Sequence, residues 1–381
     1  MKKKRLMFVI PTIRYGGAEL FLLRLCKLIC LNYEITLVVI SNREGLFNEF
    51  EALQVKMHYL GFEKVSYLPV ACLSLRRIIK SESPDIIQSF LYQADILSGL
   101  ASIGLKIKLR IWSLRGTSLA HGTSYYKLLI QKVAAVLSSK IPHLMIACSK
   151  EVRDFHVKIG YPDNKILIIG NFISNWVHEA RSNSIFLTES QPTHFKVGLA
   201  ARYDLGKGHK ALLMAVLDFL KKNPKASITL CFAGKGCDNG GRLSADLYPI
   251  LNLSSNTESH RLTVITSGLL SGSSLVNWFQ DLDLYFMASD SLEGFPNSLA
   301  EAIAIGLPSL ATPVGAASDF LPSERLSESA TSKSMSELLG HFYREECHNK
   351  KKMTERLREN ILVTYQEDKM VASYNSVWKV Q

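Results

Sequence analysis

Short apolar runs alternate with amphipathic stretches along almost the whole chain, and this alternation limits the possible folds more than any other feature. Seven runs in the first half are spaced as buried strands: LMFVI, ITLVVI, MHYLGF, DIIQSF, RIWSL, LMIACS and ILIIG. Five more follow in the second half: FKVGLAA, SITLCFAG, LTVITSG, LDLYFMAS and PSLATP. Apolar strands that alternate with amphipathic helices are typical of parallel sheets covered by helices on both faces. The sequence therefore predicts an α/β protein with two doubly wound domains.

A polar stretch without periodicity, residues 176–194, separates the two series and predicts a linker. We expect a first domain over residues 1–175 and a second over residues 195–363. The final segment, residues 364–381, has the pattern of one amphipathic helix that could close either domain. Because ligands of doubly wound sheets bind at the carboxyl ends of the strands, we expect a ligand cleft between the two domains.

The charge of the chain is concentrated in its first half. Of 45 Lys+Arg and 34 Asp+Glu, residues 1–185 hold 25 and 13, whereas residues 186–381 hold 20 and 21. Such a one-sided field indicates an anionic partner, which could be nucleic acid, a lipid surface or a phosphorylated substrate. No nucleic-acid-binding motif accompanies it. Two segments, residues 73–80 and 125–140, place Lys and Arg around an apolar stripe, which suits an anionic membrane surface or ordinary packing on a sheet. In the first segment the expected lipid contacts are Arg76, Arg77 and Lys80.

The cysteines and the lengths of the apolar runs indicate where in the cell the protein is located. The seven cysteines form neither a CxxC pair nor a Cys/His cluster with zinc spacing, so we expect reduced thiols, a cytoplasmic protein and no metal site. The basic N-terminus imitates a signal peptide, but its apolar run ends before Arg14 and no small-residue cleavage site follows. Apolar stretches elsewhere stop well short of the roughly 20 residues of a membrane helix. We therefore expect at most a surface attachment to a membrane.

The stretch EGFPNSLAEAIAIGLP, residues 293–308, carries the strongest chemical signal. Pro296 suits the start of a helix, and Gly306 suits its end. Glu293 precedes this helix and Glu301 lies about five residues inside it, so the two carboxylates could hold two polyhydroxy groups on either side of a phosphate. The helix N-terminus between them is suited to an anion or to hydroxyl groups. Its residues are Gly294, Phe295, Pro296 and Asn297.

A second signal lies in GLAARYDLGKGHKALLMA, where a predicted strand leads through a loop into a helix. The loop holds Arg202 and Lys207, whose side chains suit a diphosphate, although surface loops with two cations are common. Gly206 and Gly208 would let the backbone approach a neighbour closely. The spacing differs from that of a P-loop.

Two weaker signals complete the set. Gly16 and Gly17 lie between the first strand and a helix, which predicts a close-approach turn at a helix N-terminus. Asp281 and Asp283 form a DLD sequence that imitates a metal-binding acidic pair, but it leads directly into an apolar run. We therefore interpret Asp283 as a structural residue.

Taken together, these elements resemble the family 4 glycosyltransferases, which have the two-domain GT-B fold. The resemblance extends over nearly the whole chain. It implies that Arg202 and Lys207 hold the donor diphosphate, that Glu293 of an E-x7-E motif faces the transferred sugar, and that Glu301 holds the ribose. It also implies that Gly16 and Gly17 form the glycine loop on the acceptor side, and that the final helix returns to the first domain.

The chain departs from the family pattern at two histidines. Gln93 and Gly116 occupy places where many relatives have histidine, and His121 is out of register. Arg115 is therefore the stronger catalytic candidate in the first domain.

The resemblance implies transfer of a hexose-type sugar from a nucleotide diphosphate sugar, with retention and without a metal or cofactor. The basic first half favours a lipid-linked or glycan acceptor at the inner face of a membrane, in surface polysaccharide or lipopolysaccharide assembly. Two alternatives stay open. A nucleotide-sugar epimerase with the same fold would require a positioned acid and base. A basic nucleic-acid-binding protein would show steep salt dependence of binding but would leave the two glutamates unexplained.

Overall fold

The computed structural model describes residues 3–62, 68–116, 125–173, 175–253, 260–290 and 293–379. The chain divides into two compact units. Unit 1 comprises residues 1–171 and 368–381, and unit 2 comprises residues 172–367.

Unit 1 contains a sheet of seven parallel strands. They are β1 (Arg5–Ile10), β2 (Glu34–Val39), β3 (Lys56–Tyr59), β4 (Ile86–Phe90), β5 (Leu109–Leu114), β6 (Leu144–Ala147) and β7 (Ile166–Ile168). The helices between them are α1 (Gly17–Ile29), α2 (Phe47–Ala52), α3 (Leu68–Glu82), α4 (Tyr92–Ala101), α5 (Tyr125–Ser138) and α6 (Lys150–Lys158). The strand order is β3-β2-β1-β4-β5-β6-β7, so the order reverses between β1 and β4.

Unit 2 contains a sheet of five parallel strands. They are β8 (His194–Ala200), β9 (Ser227–Ala233), β10 (Leu262–Thr266), β11 (Leu284–Met287) and β12 (Ser309–Ala311). Its helices are α7 (His209–Lys222), α8 (Arg242–Leu253), α9 (Gly272–Gln280), α10 (Asn297–Ala304), α11 (Ala317–Phe320), α12 (Ser332–Arg344) and α13 (Cys347–Thr364). The strand order is β10-β9-β8-β11-β12, so the order reverses between β8 and β11.

The twelve apolar runs of the sequence each form a strand, and the prediction of two doubly wound units is confirmed. The physical reason is burial on both faces of each sheet. Every residue of β4 and β11 is buried, and in β1 only Arg5 is partly exposed. Strands with apolar side chains on both faces are stable only when helices cover both sides.

The last helix, α14 (Glu367–Trp378), lies against the sheet of unit 1. Trp378 is fully buried, its ring lies 6.2 Å from that of Phe8, and its indole N–H donates to Gln88 Oε1 at 3.0 Å. Lys4 Nζ donates to the carbonyl of Trp378 at 3.0 Å. The sequence predicts this helix over residues 364–381, but it begins three residues later, at Glu367, because Thr364 is the last residue of α13.

Residues 176–194, which the sequence predicts as a linker, belong to unit 2. Phe186 is fully buried and packs on Phe195 and Phe342, each with a centroid distance of 4.9 Å. The backbone N–H of Ile185 donates to Asp283 Oδ1 at 2.9 Å. The segment lacks a repeating apolar pattern because only a few of its side chains enter the core, and its polar composition therefore imitates a linker.

Among the described residues, no helix combines the length and the apolar character needed to cross a bilayer.

Candidate functional site

The main candidate site lies at the carboxyl ends of β8 and β11. These strands are neighbours, and the strand order of unit 2 reverses between them, which is the place where ligands bind in open α/β sheets. The chain after β8 forms a loop and a short 3-10 helix, Leu205–Lys207, before α7. The chain after β11 leads to Glu293 and the N-terminus of α10. Two separate sequence motifs therefore meet at one edge of the sheet.

Lys207 and Glu293 form an ion pair across these two loops. Lys207 Nζ donates to Glu293 Oε1, and both side chains are about one-fifth exposed. Ser289 Oγ donates to the same carboxylate oxygen at 2.8 Å. The resemblance assigns Lys207 to the diphosphate and Glu293 to the sugar, and the structure places these two groups in direct contact.

Arg202 points outward from the first loop, with 64% of its side chain exposed. Its Nη2 lies 3.8 Å from Asp204 Oδ2. Asp204 also begins the short helix, because its side chain accepts from the N–H of Gly206 at 3.3 Å. A solvent-exposed guanidinium in a long ion pair can reorient toward an anion at low cost.

Close backbone contacts hold the two loops together. Gly208 has φ +72°, and a Cβ built there would lie 2.5 Å from the carbonyl carbon of Ala288. Gly315 has φ +65°, and its Cβ would lie 2.6 Å from Cβ of Glu293. The N–H of Asp290 donates to the carbonyl of Gly206 at 3.1 Å. Gly208 thus lies in close contact with the chain that leads to Glu293.

Helix α10 begins after Pro296 and is followed by Gly306 with φ +80°, as the sequence predicts. Glu301 lies on its buried face, with an exposure of 6%. Burial raises the pKa of Tyr285, and the nearby charges of Glu293 and Glu301 raise this pKa further. The Tyr285 hydroxyl donates to Ser298 Oγ at 2.7 Å. Both carboxylates of the E-x7-E motif therefore lie near one buried tyrosine of β11.

The four residues before and at the start of α10 have different environments. Gly294, Phe295 and Pro296 are buried, whereas Asn297 is half-buried. The ring of Phe295 packs on Phe320 and Tyr365, at centroid distances of 5.0 and 5.2 Å. The side chain of Phe295 is thus part of the core, and only its backbone N–H is a candidate for the donor site.

His209 begins α7 beside the glycine turn and is 1% exposed. Burial, together with the charge of Lys207, lowers its pKa to about 4. Its Nε2 lies 3.6 Å from Cys237 Sγ, and burial raises the pKa of that thiol to about 11. Both groups are therefore neutral at pH 7 and support the loop as uncharged packing residues.

In unit 1, Gly16 and Gly17 lie at the N-terminus of α1, where the turn was predicted. Gly16 has extended backbone angles, and a Cβ built there would lie 3.1 Å from Cδ of Glu19. The Glu19 carboxylate also accepts from Thr12 Oγ1 at 3.3 Å. A carboxylate of the chain itself is thus folded over this helix N-terminus.

Arg115 follows β5 and contacts the last helix. Its Nη1 donates to Asn171 Oδ1 and its Nη2 to the Tyr374 hydroxyl, both at 2.7 Å, and its guanidinium lies 3.7 Å from the ring centroid of Phe21. These partners are uncharged and connect the end of β5 to α14. The structure therefore gives Arg115 a structural function, and its part in catalysis stays a prediction.

The structural interpretation of Asp283 is confirmed. Its Oδ1 accepts from the N–H of Ile185 at 2.9 Å, and its Oδ2 accepts from the N–H of Lys196 at 2.8 Å. Asp281 pairs with Lys196 Nζ at 2.6 Å. Within the described parts of the chain, no group of three or more His, Cys, Asp or Glu side chains is placed to hold a metal ion.

Sequence reasoning did not identify Ser289, Tyr285, Ser298 or Thr312, although all four contact the motif or its support. Isolated serine, threonine and tyrosine residues in a strand-loop region carry no spacing signal. Ser289 and Thr312 could have been selected by asking which residues follow two neighbouring parallel strands, whereas Tyr285 lies within β11 and Ser298 within α10. Gln93 lies in the first turn of α4, Gly116 lies two residues after β5, and His121 lies outside the described residues.

Comparisons with known proteins find similarity to glycosyltransferases in both halves of the chain. Residues 15–175 match the model of Glycosyltransferase Family 4, and residues 194–337 match that of Glycosyl transferases group 1. Protein CapJ of Staphylococcus aureus is 28% identical over 179 residues, which are 45% of this chain and 42% of CapJ. The chain thus matches less than half the length of this relative.

Solved structures show similarity over the full length. Anabaena Alr3699/HepE in complex with UDP and glucose has a TM-score of 0.79 at 16% identity, over 99% of each chain. A glycosyltransferase from Rickettsia africae has a TM-score of 0.77 at 14% identity, over 100% of this chain and 98% of that one. The chain therefore has the GT-B fold, and each of its two matched segments is similar to a glycosyltransferase domain.

Proposed function

We propose that the protein transfers a hexose-type sugar from a nucleotide diphosphate sugar, with UDP as the nucleotide, to an acceptor hydroxyl with retention of configuration. The observation that carries this proposal is the contact between Lys207 and Glu293 at the switch point of unit 2. A cation for a diphosphate and a carboxylate for sugar hydroxyls must be adjacent if they serve the two parts of one donor. UDP is chosen because HepE, which shares the fold, was crystallised with UDP and with glucose.

The chemistry follows from where negative charge develops. When the glycosidic bond breaks, the leaving diphosphate gains charge, and fixed cations and N–H groups aimed at it lower the barrier by several kcal/mol. Lys207, Arg202 and the N–H groups at the start of α10 would supply this stabilisation. Glu293 would orient the sugar hydroxyls, and Glu301 would hold the ribose. Because cations of the chain neutralise the diphosphate, we expect transfer to continue in the presence of EDTA.

The first experiment measures nucleotide binding by calorimetry. UDP, GDP and ADP are titrated into the wild type, into Arg202→Ala and Glu301→Ala, and into Lys225→Ala as an exposed cation of unit 2 away from the site. We expect saturable binding of UDP that both site variants weaken at least tenfold and that Lys225→Ala leaves unchanged. Binding that is indifferent to both site variants would refute the assignment of the donor site.

Requirement for an acceptor separates a transferase from an epimerase. A transferase consumes UDP-sugar rapidly only when an acceptor is added, whereas an epimerase converts the sugar nucleotide without one. Rapid acceptor-independent formation of a second UDP-sugar would therefore favour the epimerase.

For the acceptor we propose a lipid-linked or glycan molecule at an anionic membrane surface, in surface polysaccharide or lipopolysaccharide assembly, with the protein peripheral at the inner face. The support lies in unit 1. Residues 101–150 contain eight Lys+Arg and no Asp or Glu. The outward face of α5 exposes Leu129, Val133 and Val136, the last by 71%, beside exposed Lys132 and Lys140. An apolar stripe flanked by lysines suits the surface of an anionic bilayer.

The basic residues of α3 contribute unequally to this face. Arg76 Nη1 donates to the carbonyls of Ala101 and Ile103, at 2.9 and 2.7 Å, so it holds α3 to the end of α4. It is therefore a poor lipid contact, contrary to expectation. Arg77 and Lys80 are exposed and stay candidates.

Vesicle flotation tests the membrane part of the proposal. We expect binding to vesicles with phosphatidylglycerol, weakened by salt and strongly reduced by Lys132→Glu with Lys140→Glu. The matched control, Lys221→Glu with Lys225→Glu in unit 2, changes the net charge equally and should bind as the wild type does. Equal losses in both double variants would assign the binding to net charge and remove α5 from the proposal.

A further inference from the structure

We infer that Ser289 is a positioning residue that fixes the Glu293 carboxylate for sugar transfer, an inference that rests on the proposed function. The two oxygens of this carboxylate differ in their environment. Oε1 accepts from both Lys207 Nζ and Ser289 Oγ. Among the described residues, neither of these groups nor any other donates to Oε2. Oε2 is therefore the oxygen available to a sugar hydroxyl, and the partners of Oε1 determine where it points.

Ser289 is held more rigidly than Lys207. It is 2% exposed and lies two residues after β11. Its carbonyl accepts from Thr312 Oγ1 at 2.5 Å, and Thr312 is fully buried directly after β12. The serine is thus fixed by two adjacent strands of the sheet. A hydroxyl supported in this way positions its acceptor better than a lysine on a flexible four-carbon chain.

The two groups that donate to Oε1 differ in whether they also interact with the substrate. In the proposed reaction Lys207 must interact with the leaving diphosphate, whose growing charge competes with Glu293 for the ammonium group. Ser289 is neutral and buried, so it keeps its bond to Oε1 when Lys207 moves toward the phosphate. Without Ser289, the carboxylate would lose its remaining fixed donor at the step where the geometry of Oε2 matters. The serine should therefore act on turnover and leave nucleotide affinity nearly unchanged.

The test compares Ser289→Ala with Ser309→Ala. Ser309 is a matched control, because it is 3% exposed in the neighbouring strand β12 and its hydroxyl donates to the carbonyl of Leu307 at 2.9 Å. We expect Ser289→Ala to lower the single-turnover transfer rate from UDP-sugar about tenfold to a hundredfold, as for a lost hydrogen bond to a charged group. The Kd for UDP should change by less than about twofold, and Ser309→Ala should behave as the wild type.

A double-mutant cycle with Glu293→Gln provides a readout that a general loss of stability would not move. In the Glu293→Gln background, Ser289→Ala should cause no further loss of rate, because the group that it positions is already altered. Additive losses, or equal losses of rate and UDP affinity in Ser289→Ala, would overturn the inference. If Ser289→Ala equals Ser309→Ala while Glu293→Gln is strongly impaired, only the inference fails. If Glu293→Gln transfers sugar at the wild-type rate, the proposed role of Glu293 fails as well.

Discussion

Substitution of Gly208 by alanine tests the packing that brings the two halves of the donor site together. Gly208 has φ +72° and ψ +14° immediately before α7. A Cβ at this position would lie 2.5 Å from the carbonyl carbon of Ala288, and closer still to its oxygen, although real Cβ atoms essentially never approach other atoms within 3.0 Å. Gly240 provides a matched control in the same unit, since it has φ +73° and no atom within 4 Å of a built Cβ.

The two substitutions share one energetic cost and differ in a second. A non-glycine residue in the left-handed region costs roughly 1–2 kcal/mol, and both variants incur this. Only Gly208→Ala must also displace the backbone at Ala288, and overpacking of this kind adds about 1–3 kcal/mol. We therefore expect about 1 kcal/mol for Gly240→Ala and about 3 kcal/mol for Gly208→Ala. For a unit of roughly 200 residues, the second value corresponds to a decrease in Tm of about 6–12 °C.

Thermal unfolding followed by circular dichroism measures this difference, and calorimetry with UDP measures its effect on the site. We expect Gly208→Ala to weaken UDP binding, because the displaced backbone leads from β11 to Glu293. Gly240→Ala should bind UDP as the wild type does. Equal Tm values for the two variants would refute the reasoning, since they would show that Ala288 does not restrict position 208.

Three further predictions concern other parts of the chain. Burial lowers the pKa of His209 to about 4, so between pH 6.5 and pH 4 the unfolded chain binds a proton that the folded chain does not. The free energy of unfolding should therefore fall as the pH is lowered through this range. Denaturant unfolding at pH 7 and pH 4.5 should show a smaller decrease in this free energy for His209→Gln than for the wild type. Tyr374→Phe should cost about 1 kcal/mol of unfolding free energy by removing the bond from Arg115, and unchanged stability would argue against that link. Asp283→Asn should lower the free energy of unfolding by about 1–2 kcal/mol, because both carboxylate oxygens accept hydrogen bonds from backbone N–H groups. The transfer rate of the folded fraction should stay unchanged. A loss of transfer rate at wild-type stability would contradict the structural role of Asp283.

The local pattern of the sequence determined the fold class and the places of the strands. Strands buried on both faces require continuous apolar runs, and the helices between them require an apolar stripe, so both signals are visible without tertiary information. The sequence signals for the two ends of α10 were also local, because Pro296 and Gly306 act through their own backbone preferences. The resemblance to the family 4 glycosyltransferases, and not the spacing alone, implied that Glu293 and Lys207 serve one site.

Only the tertiary structure decided which atoms meet there. The order of strands places β8 beside β11, and this neighbourhood pairs Lys207 with Glu293 although 86 residues separate them. The tertiary structure also lets Thr312 Oγ1 donate to the carbonyl of Ser289, and it packs the ring of Phe295 on Phe320 in the core. Such contacts depend on strand order and on the direction of single side chains, and neither leaves a periodic trace in the sequence. The polar segment over residues 176–194 was misleading for the same reason, since a few buried side chains are enough to attach it to unit 2.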